Sequence, residues 1–174
     1  GHQVTVYDVA KNLGGKISRV IPQSRIPEEV ITKEIQRVKE VIPHEQFKQP
    51  LGREDIERLK NDFDFVVIAT GAQKPRTLPI PGNERAQLAL DFLIRAKSKK
   101  TKIGKRIVII GAGNVGCDVA IEADRLGARE ITLLDVQEPA SFGKERAAAE
   151  AVGANFKWPV FTREITDAAV ILTD

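Results

Sequence analysis

The sequence predicts an α/β fold in which helices cover a mostly parallel sheet. Of its 174 residues, 42% are hydrophobic but only 5% are aromatic, so Val, Ile, Leu and Ala must form the core. Such a core suits parallel strands that are buried on both faces. Two runs have this character: FDFVVIATGA and RIVIIG. The length suffices for one ordinary domain or two small ones.

The first half of the chain is predicted to contain two strands and two helices. The alternating run QVTVYD predicts a strand at residues 3–8, followed by the glycine turn KNLGGK. Residues 17–27 contain two prolines and are expected to be irregular. Helical spacing of apolar residues predicts an amphipathic helix at 27–42, and REDIERLKND predicts a shorter one at 53–62. The apolar run 63–72 is expected to be a buried parallel strand.

The second half is predicted to alternate strands with helices. The run KPRTLPIPGN, with three prolines, predicts a connector at residues 74–83. The run LALDFLIRAKSKK predicts a helix at 88–100, and its basic end suits the helix dipole. The remaining predictions are strands at 106–111, 130–135, 155–161 and 168–173, and helices at 114–126 and 143–152 that stop at Gly127 and Gly153.

The motif GAGNVG at residues 111–116 has the G-x-G-x-x-G pattern, between a predicted buried strand and a predicted helix. In a dinucleotide site the first glycine permits a tight turn, and the second lets the backbone approach a pyrophosphate. The third lets the helix pack closely on the strand. The helix N-terminus adds free N–H groups and a positive dipole end. The alternative is a glycine turn that binds nothing. The predicted binding residues are Gly111, Ala112, Gly113, Asn114, Val115 and Gly116.

An acidic residue, Asp135, ends the strand that follows this helix. It lies slightly more than the expected ~20 residues beyond the motif. A carboxylate at this place accepts hydrogen bonds from both ribose hydroxyls and repels a 2′-phosphate. The sequence therefore predicts that NAD(H) is preferred over NADP(H).

The first half carries a second nucleotide signature, VTVYD followed by LGGK. It resembles the end of the second strand of another dinucleotide fold. Most of the chain resembles the small (beta) subunit of glutamate synthase and its relatives, which are FAD-dependent pyridine-nucleotide oxidoreductases. The runs that carry the resemblance are GHQVTVYD, LGGK, VIPQSRIPEEVITKEI, FDFVVIATGAQKPRTLPIPG, ALDFL and IGKRIVIIGAGNVGCDVAIEADRLGAREITLL.

The resemblance implies two Rossmann-like, three-layer (FAD/NAD(P)-binding) pieces. These are a partial FAD-binding domain at residues 1–85 and an NAD(P)-binding domain at residues 86–174. In the family, hydride passes from nicotinamide to flavin, so the cofactors carry the chemistry and no catalytic residue is expected. The residues implied to contact FAD are Asp8, Gly15, Lys16, Thr70, Gly71 and Ala72.

The sequence departs from the family pattern in three respects. Val136 and Gln137 stand where the family has two arginines that suit NADPH, which favours NAD(H). Gly116 stands where the family usually has alanine. The first strand with the FAD glycine loop and the C-terminal segment that covers FAD are both missing, and no methionine begins the chain. The sequence is therefore interpreted as an internal fragment, with FAD bound by the full-length protein. Its first half is expected to be loosely packed or to pair with another copy.

Cys117 is the only cysteine, so the chain has no C-x-x-C pair of the thioredoxin-reductase type. Cys117 is expected to be a packed core residue, and Asp118 to make local hydrogen bonds. His2 and His44 are isolated, and each is expected at the surface. No cluster of residues has metal-ligand spacing.

Charge and hydropathy argue against nucleic-acid and membrane partners. The net charge is only +3, and no apolar run reaches the ~18 residues of a membrane span. The basic run at residues 95–106 lacks interleaved aromatic residues, so a solvated helix end is expected there. The single cysteine and the absence of a signal peptide predict a cytoplasmic location.

Three functions follow as hypotheses. The first is the part of a flavin-dependent oxidoreductase that passes hydride from NAD(P)H to FAD and then to an electron-accepting partner subunit or domain. The acceptor could be glutamate synthase or an iron–sulfur protein. The second is a structural or sensing module that binds NAD without flavin turnover. The third, a dehydrogenase without flavin, needs a substrate domain for which the chain has no room.

Overall fold

The computed structural model describes residues 1–42, 44–97 and 101–173. The chain divides into two compact units, Gly1–Lys74 (unit 1) and Pro75–Asp174 (unit 2). Each unit combines helices with parallel strands, so the predicted α/β class is confirmed. No described helix has both the length and the apolar character that crossing a membrane requires.

Unit 1 contains a two-stranded parallel sheet. Strand β1 pairs with β2 in the register Thr5↔His44 to Asp8↔Phe47. The Asp55 carboxylate accepts a hydrogen bond from the Gly52 N–H at 2.9 Å, which caps the start of the third helix. The elements are β1 (Thr5–Asp8), α1 (Gly15–Arg19), α2 (Glu28–Val41), β2 (His44–Phe47) and α3 (Arg53–Asp62).

Two features of unit 1 differ from the sequence predictions. The predicted strand at 63–72 is wrong, because these residues form no strand and Phe65 is 82% exposed. A strand that is apolar on both faces needs neighbours on both edges, and the sheet of β1 and β2 does not include this run. Conversely, α1 and β2 were not predicted. Strand β2 has the polar sequence HEQF and depends on long-range pairing with β1.

Unit 2 contains a three-stranded parallel sheet in the order β3-β4-β5 and an antiparallel hairpin of β6 and β7. Helix α5 packs against β3, β4, α4 and α6. The elements are α4 (Ala89–Ala96), β3 (Arg106–Ile110), α5 (Asn114–Arg125), β4 (Glu130–Leu134), α6 (Gly143–Ala151), β5 (Asn155–Lys157), β6 (Phe161–Ile165) and β7 (Val170–Thr173), with a 3₁₀ turn at Asn83–Arg85.

The core of unit 2 lies between α5 and the sheet. Leu133 of β4 and Cys117 of α5 are the largest fully buried side chains of the described chain. Helix α5 ends at a glycine as predicted, because Gly127 has φ +96° and its N–H donates to the Asp124 carbonyl at 2.8 Å. The predictions for β3, α5, β4 and α6 are confirmed to within one or two residues.

The end of unit 2 differs from its prediction. The predicted strand at 155–161 is two strands, because Pro159 has no N–H to continue the ladder of β5. Strand β6 begins at Phe161 and extends to Ile165, beyond the predicted boundary. The predicted helix at 88–100 ends at Ala96, and residues 98–100 of that prediction lie outside the described residues.

The predicted connector and the 3₁₀ turn after it pack on the hairpin of unit 2. The Ile165 N–H donates to the Pro81 carbonyl at 2.9 Å, and Arg85 Nε donates to Asp167 Oδ1 at 2.8 Å. A Cβ on Gly82 would lie 1.8 Å from the Ile165 carbonyl oxygen. Residues 75–85 therefore belong to unit 2, and the domain boundary at residue 85 stays a prediction.

Candidate functional site

The three parallel strands of unit 2 end at one edge of their sheet. Gly111 follows β3, Asp135 follows β4, and Trp158 follows β5. The structure therefore brings the predicted glycine turn and the predicted ribose carboxylate together. Ligands of open parallel sheets bind outside the carboxyl ends of the strands, so this edge is the candidate nucleotide site.

The glycine turn leads directly from β3 into α5. Gly111 has φ +104°, and its N–H donates to the Leu134 carbonyl at 2.8 Å. The first hydrogen bond of α5 is donated by the Cys117 N–H to the Gly113 carbonyl at 3.1 Å. The preceding N–H groups, of residues 114–116, belong to the turn that an α-helix leaves without internal acceptors. They are suited to bind an anion.

Gly113 and Gly116 occupy opposite environments. A Cβ on Gly116 would lie 2.1 Å from the Gly111 carbonyl oxygen, so the close approach of helix to strand requires glycine. A Cβ on Gly113 would meet no atom within 4 Å. Open space thus lies in front of the turn at Gly113, where a pyrophosphate would need it.

The Asp135 carboxylate contacts the glycine turn. Its Oδ2 accepts a hydrogen bond from the Ala112 N–H at 2.9 Å, and its Oδ1 accepts one from the Val136 N–H at 2.8 Å. The side chain is half-buried. An ionised carboxylate has about four acceptor positions, so capacity remains for ribose hydroxyls.

The structure adds two interactions that the sequence analysis missed. Asn114 Oδ1 accepts a hydrogen bond from the Phe142 N–H at 3.1 Å, which joins α5 to the end of the loop after β4. The Arg146 guanidinium lies over the rings of Phe156 and Trp158, at 4.9 and 5.6 Å from their centroids. The sequence predicts Trp158 inside a strand at 155–161, so it gave no signal that this side chain lies at the sheet edge.

Cys117 is buried in α5, as predicted. Burial raises the pKa of its thiol, and the neighbouring Ser141 hydroxyl acts in the opposite direction. A neutral, enclosed thiol suits packing better than nucleophilic chemistry. Asp118 is also buried, and its local hydrogen bonding stays a prediction.

The two histidines, the metal-ligating residue types and the basic run at 95–106 are the remaining polar features with a prediction. His2 and His44 are exposed, as predicted. In the described ranges, no three His, Cys, Asp or Glu side chains are grouped in a way that could hold a metal ion. The described part of the basic run, 95–97 and 101–106, is largely exposed, and 98–100 lie outside the described residues.

The residues expected to contact FAD lie in unit 1. Asp8 ends β1, and its Oδ1 accepts a hydrogen bond from the Ala10 N–H at 2.8 Å. Lys16 Nζ donates to the Ala72 carbonyl, which joins α1 to the turn after residue 70. The Thr70 carbonyl accepts from the Gln73 side chain, and Gly71 has φ +70°. A cleft of about 340 Å³ is lined by Gly15 and by the loop at residues 9–13.

The comparison with protein families is decisive for the class. A family model described as pyridine nucleotide-disulphide oxidoreductase matches residues 1–158. The chain belongs to this family. Membership confirms the resemblance to pyridine-nucleotide oxidoreductases and, in general terms, the oxidoreductase class. Cys117 is the single cysteine of the 174 residues, so no disulfide forms within this stretch of sequence.

Several curated relatives are similar over most of the chain. The putative oxidoreductase YgfK of Escherichia coli O157:H7 is 35% identical over 91% of this chain and 16% of its own length. The NAD-dependent dihydropyrimidine dehydrogenase subunit PreT of the same strain is 31% identical over 89% and 39%. A putative glutamate synthase [NADPH] small chain of Cereibacter sphaeroides is 29% identical over 91% and 42%. The chain therefore spans less than half of each of these relatives.

Solved structures share the fold. A 2-naphthoyl-CoA reductase has a TM-score of 0.73 at 21% identity, covering 99% of this chain and 27% of its own. FprA of Mycobacterium tuberculosis, in complex with NADPH, has a TM-score of 0.72 at 18% identity, covering 94% and 54%. These similarities confirm the Rossmann-like fold of the chain.

Proposed function

We propose that this chain binds the nicotinamide dinucleotide of a flavin-dependent oxidoreductase and holds it for hydride transfer to FAD. The observation that carries the proposal is the glycine turn of unit 2. Gly113 faces open space directly before the first turn of α5, and Asp135 lies at the same sheet edge. Family membership supports an oxidoreductase role in general.

In this proposal the backbone and one carboxylate bind the adenosine diphosphate part of the cofactor. The N–H groups of residues 114–116 donate hydrogen bonds to the pyrophosphate. Asp135 accepts hydrogen bonds from the ribose hydroxyls. Gly111 and Gly116 keep the turn and the helix close to β3, so these donors stay aligned. The nicotinamide, once bound, supplies the hydride, and the protein supplies binding and orientation.

NADH is proposed as the preferred cofactor. A 2′-phosphate would meet the negative charge of Asp135, and neither Val136 nor Gln137 offers a positive charge to offset it. The relatives differ in this respect, because one is named NAD-dependent and another is named a glutamate synthase [NADPH] small chain.

FAD is proposed to bind through unit 1 in the full-length protein. The cleft is lined by Gly15 and by the loop that directly follows Asp8. Lys16 donates a hydrogen bond to the Ala72 carbonyl, so these two residues implied by the family are in contact. The proposed division is an FAD-binding part at 1–85 and an NAD-binding part at 86–174. A cytoplasmic, electron-accepting partner subunit completes the proposal, since relatives are named as subunits or small chains.

Paired calorimetric titrations with NADH and NADPH test the proposal. NADH is expected to bind at least about tenfold more tightly, which corresponds to ~1.4 kcal/mol. Tighter binding of NADPH would contradict the preference, and binding of neither would contradict the site. Visible flavin absorption that bleaches on addition of NADH supports hydride transfer. NADH binding without flavin reduction supports the structural or sensing module.

A further inference from the structure

Four hydrogen bonds fix Asp135 at the end of β4. Its backbone N–H donates to the Lys157 carbonyl at 3.1 Å, and its carbonyl accepts from the Val160 N–H at 2.9 Å. Its two carboxylate oxygens accept from the N–H groups of Ala112 and Val136. The carboxylate is therefore held on a backbone that is itself fixed to β5 and the residues after it.

The contact with Ala112 crosses from one strand end to the next. Ala112 lies inside the glycine turn and is completely buried. A buried backbone N–H needs an acceptor, and water does not reach this one. Oδ2 of Asp135 supplies that acceptor at 2.9 Å as a charge-assisted hydrogen bond, of the stronger kind. The turn is thus tied to β4 by a side chain.

A second contact joins the glycine turn to the loop after β4, and here the side-chain acceptor comes from the side of the turn. Asn114 is the first residue of α5, directly after the turn. Its Oδ1 accepts the Phe142 N–H at 3.1 Å, where the loop at residues 136–142 meets α6. The turn after β3 and the loop after β4 are therefore joined at two places, with one side chain contributed by each.

We propose that Asp135 and Asn114 are positioning residues that latch the glycine turn to the end of β4 and to the loop 136–142. These two contacts within the protein hold the N–H groups of residues 114–116 in the positions needed to bind an anion. This inference rests on the proposed nucleotide site and adds a role to Asp135 besides its ribose contact. It follows that replacing Asp135 to change cofactor preference weakens binding of NADH and NADPH together.

The probe for binding is 2′,3′-dideoxyadenosine diphosphate, which has the two phosphates but no ribose hydroxyls. Its affinity, measured by calorimetry, reports the turn and not the ribose contact. Asp135→Ala and Asp135→Asn both remove the negative charge, but only asparagine keeps an oxygen acceptor for the Ala112 N–H. The difference between the two variants therefore isolates the latch from the charge. Glu138→Gln, which removes a negative charge from the same exposed loop, is the control.

The expected result is that Asp135→Ala binds the probe about tenfold less tightly than Asp135→Asn, as expected for loss of one buried hydrogen bond. Asn114→Ala is also expected to weaken binding, whereas Glu138→Gln is expected not to weaken it. Equal affinities of the alanine and asparagine variants at 135 would overturn the proposal.

Hydrogen exchange of the Ala112 and Phe142 amides provides a readout that needs no nucleotide. Asp135→Ala is expected to speed exchange at Ala112, and Asn114→Ala at Phe142, while Asp135→Asn restores protection at Ala112. Unchanged exchange in both alanine variants would overturn the latch. If the wild-type chain binds neither ADP nor the probe but exchange responds as expected, the proposed function fails while the latch stands.

Discussion

At the scale of single residues, two glycines of one motif serve different purposes. Gly116 has the Gly111 carbonyl directly behind it, whereas Gly113 has open space in front of it. The family usually has alanine at the place of Gly116, and the close approach of this turn explains why glycine suits this chain. The spacing of the motif predicted both roles, because each depends on the local strand–turn–helix geometry.

The variants Gly116→Ala and Gly113→Ala are expected to separate stability from binding. A Cβ at position 116 lies 2.1 Å from backbone oxygen, so we expect a loss of about 1–3 kcal/mol in the free energy of unfolding. Gly113 has φ −76°, which alanine tolerates, so the stability of Gly113→Ala stays within about 0.5 kcal/mol of wild type.

The folded Gly113→Ala protein is expected to bind ADP more weakly than the wild type, because the added methyl group occupies the space proposed for the pyrophosphate. Urea unfolding gives the stability, and calorimetry gives the affinity. Equal loss of stability in the two variants would contradict the different environments of the two glycines.

At the scale of elements, the accuracy of the sequence predictions depends on whether an element is determined locally. Helix α5 and strands β3 and β4 follow from apolar periodicity and the glycines between them. Strand β2 depends on pairing with β1 across the intervening helices, so its own residues give little signal. The run 63–72 has strand-like composition but no partner strand in the described chain.

The connector illustrates a contact that local patterns do not reveal. Its prolines predict irregular backbone, but the docking of Pro81 and Gly82 on Ile165 joins residues far apart in sequence. Such contacts depend on the position of the β6–β7 hairpin. Periodicity within the connector contains no information on that position.

Gly82→Ala is expected to destabilise this docking more than a matched glycine variant. Gly82 and Gly153 have φ +79° and +77°, so alanine bears a similar backbone strain at both, of about 1 kcal/mol. Of these two glycines, only Gly82 has a Cβ position close to a backbone oxygen, at 1.8 Å from the Ile165 carbonyl. Nothing lies within 4 Å of the Cβ position at Gly153. We therefore expect a larger loss of unfolding free energy for Gly82→Ala, by about 1–3 kcal/mol.

Urea unfolding of both variants measures this difference, and exchange of the Ile165 amide locates it. That amide donates to Pro81 at 2.9 Å, so it should lose protection in Gly82→Ala and keep it in Gly153→Ala. Similar exchange in the two variants would mean that the connector does not depend on the close approach at Gly82.

At the scale of the whole molecule, the buried apolar side chains are unevenly divided. Among the described residues, unit 1 contributes Val20, Ile31 and Leu59 to the buried set, and unit 2 contributes fifteen. Unit 1 also exposes the apolar run that contains Phe65, Val67 and Ile68. Since apolar burial is the main favourable term in folding, unit 2 is expected to carry most of the stability.

Limited digestion with chymotrypsin is expected to cut first after Phe65. Phe65 and Phe142 are both largely exposed, at 82% and 71%, so exposure alone does not choose between them. The backbone around Phe65 belongs to no helix or strand, whereas the Phe142 N–H is bound to Asn114 and α6 follows directly. Proteases need a segment that opens locally, and such segments have few backbone hydrogen bonds and buried contacts.

Mass spectrometry of the early products identifies the cut, and calorimetry with ADP tests the product. A piece that begins after Phe65 keeps β3, α5, β4 and β5, and with them the glycine turn and Asp135. We expect it to bind ADP with the affinity of the intact chain. A first cut after Phe142 would show that the loop 136–142 opens more readily than the run at 63–72, contrary to the distribution of buried contacts. Loss of ADP binding after a cut at Phe65 would show that unit 1 contributes to the site.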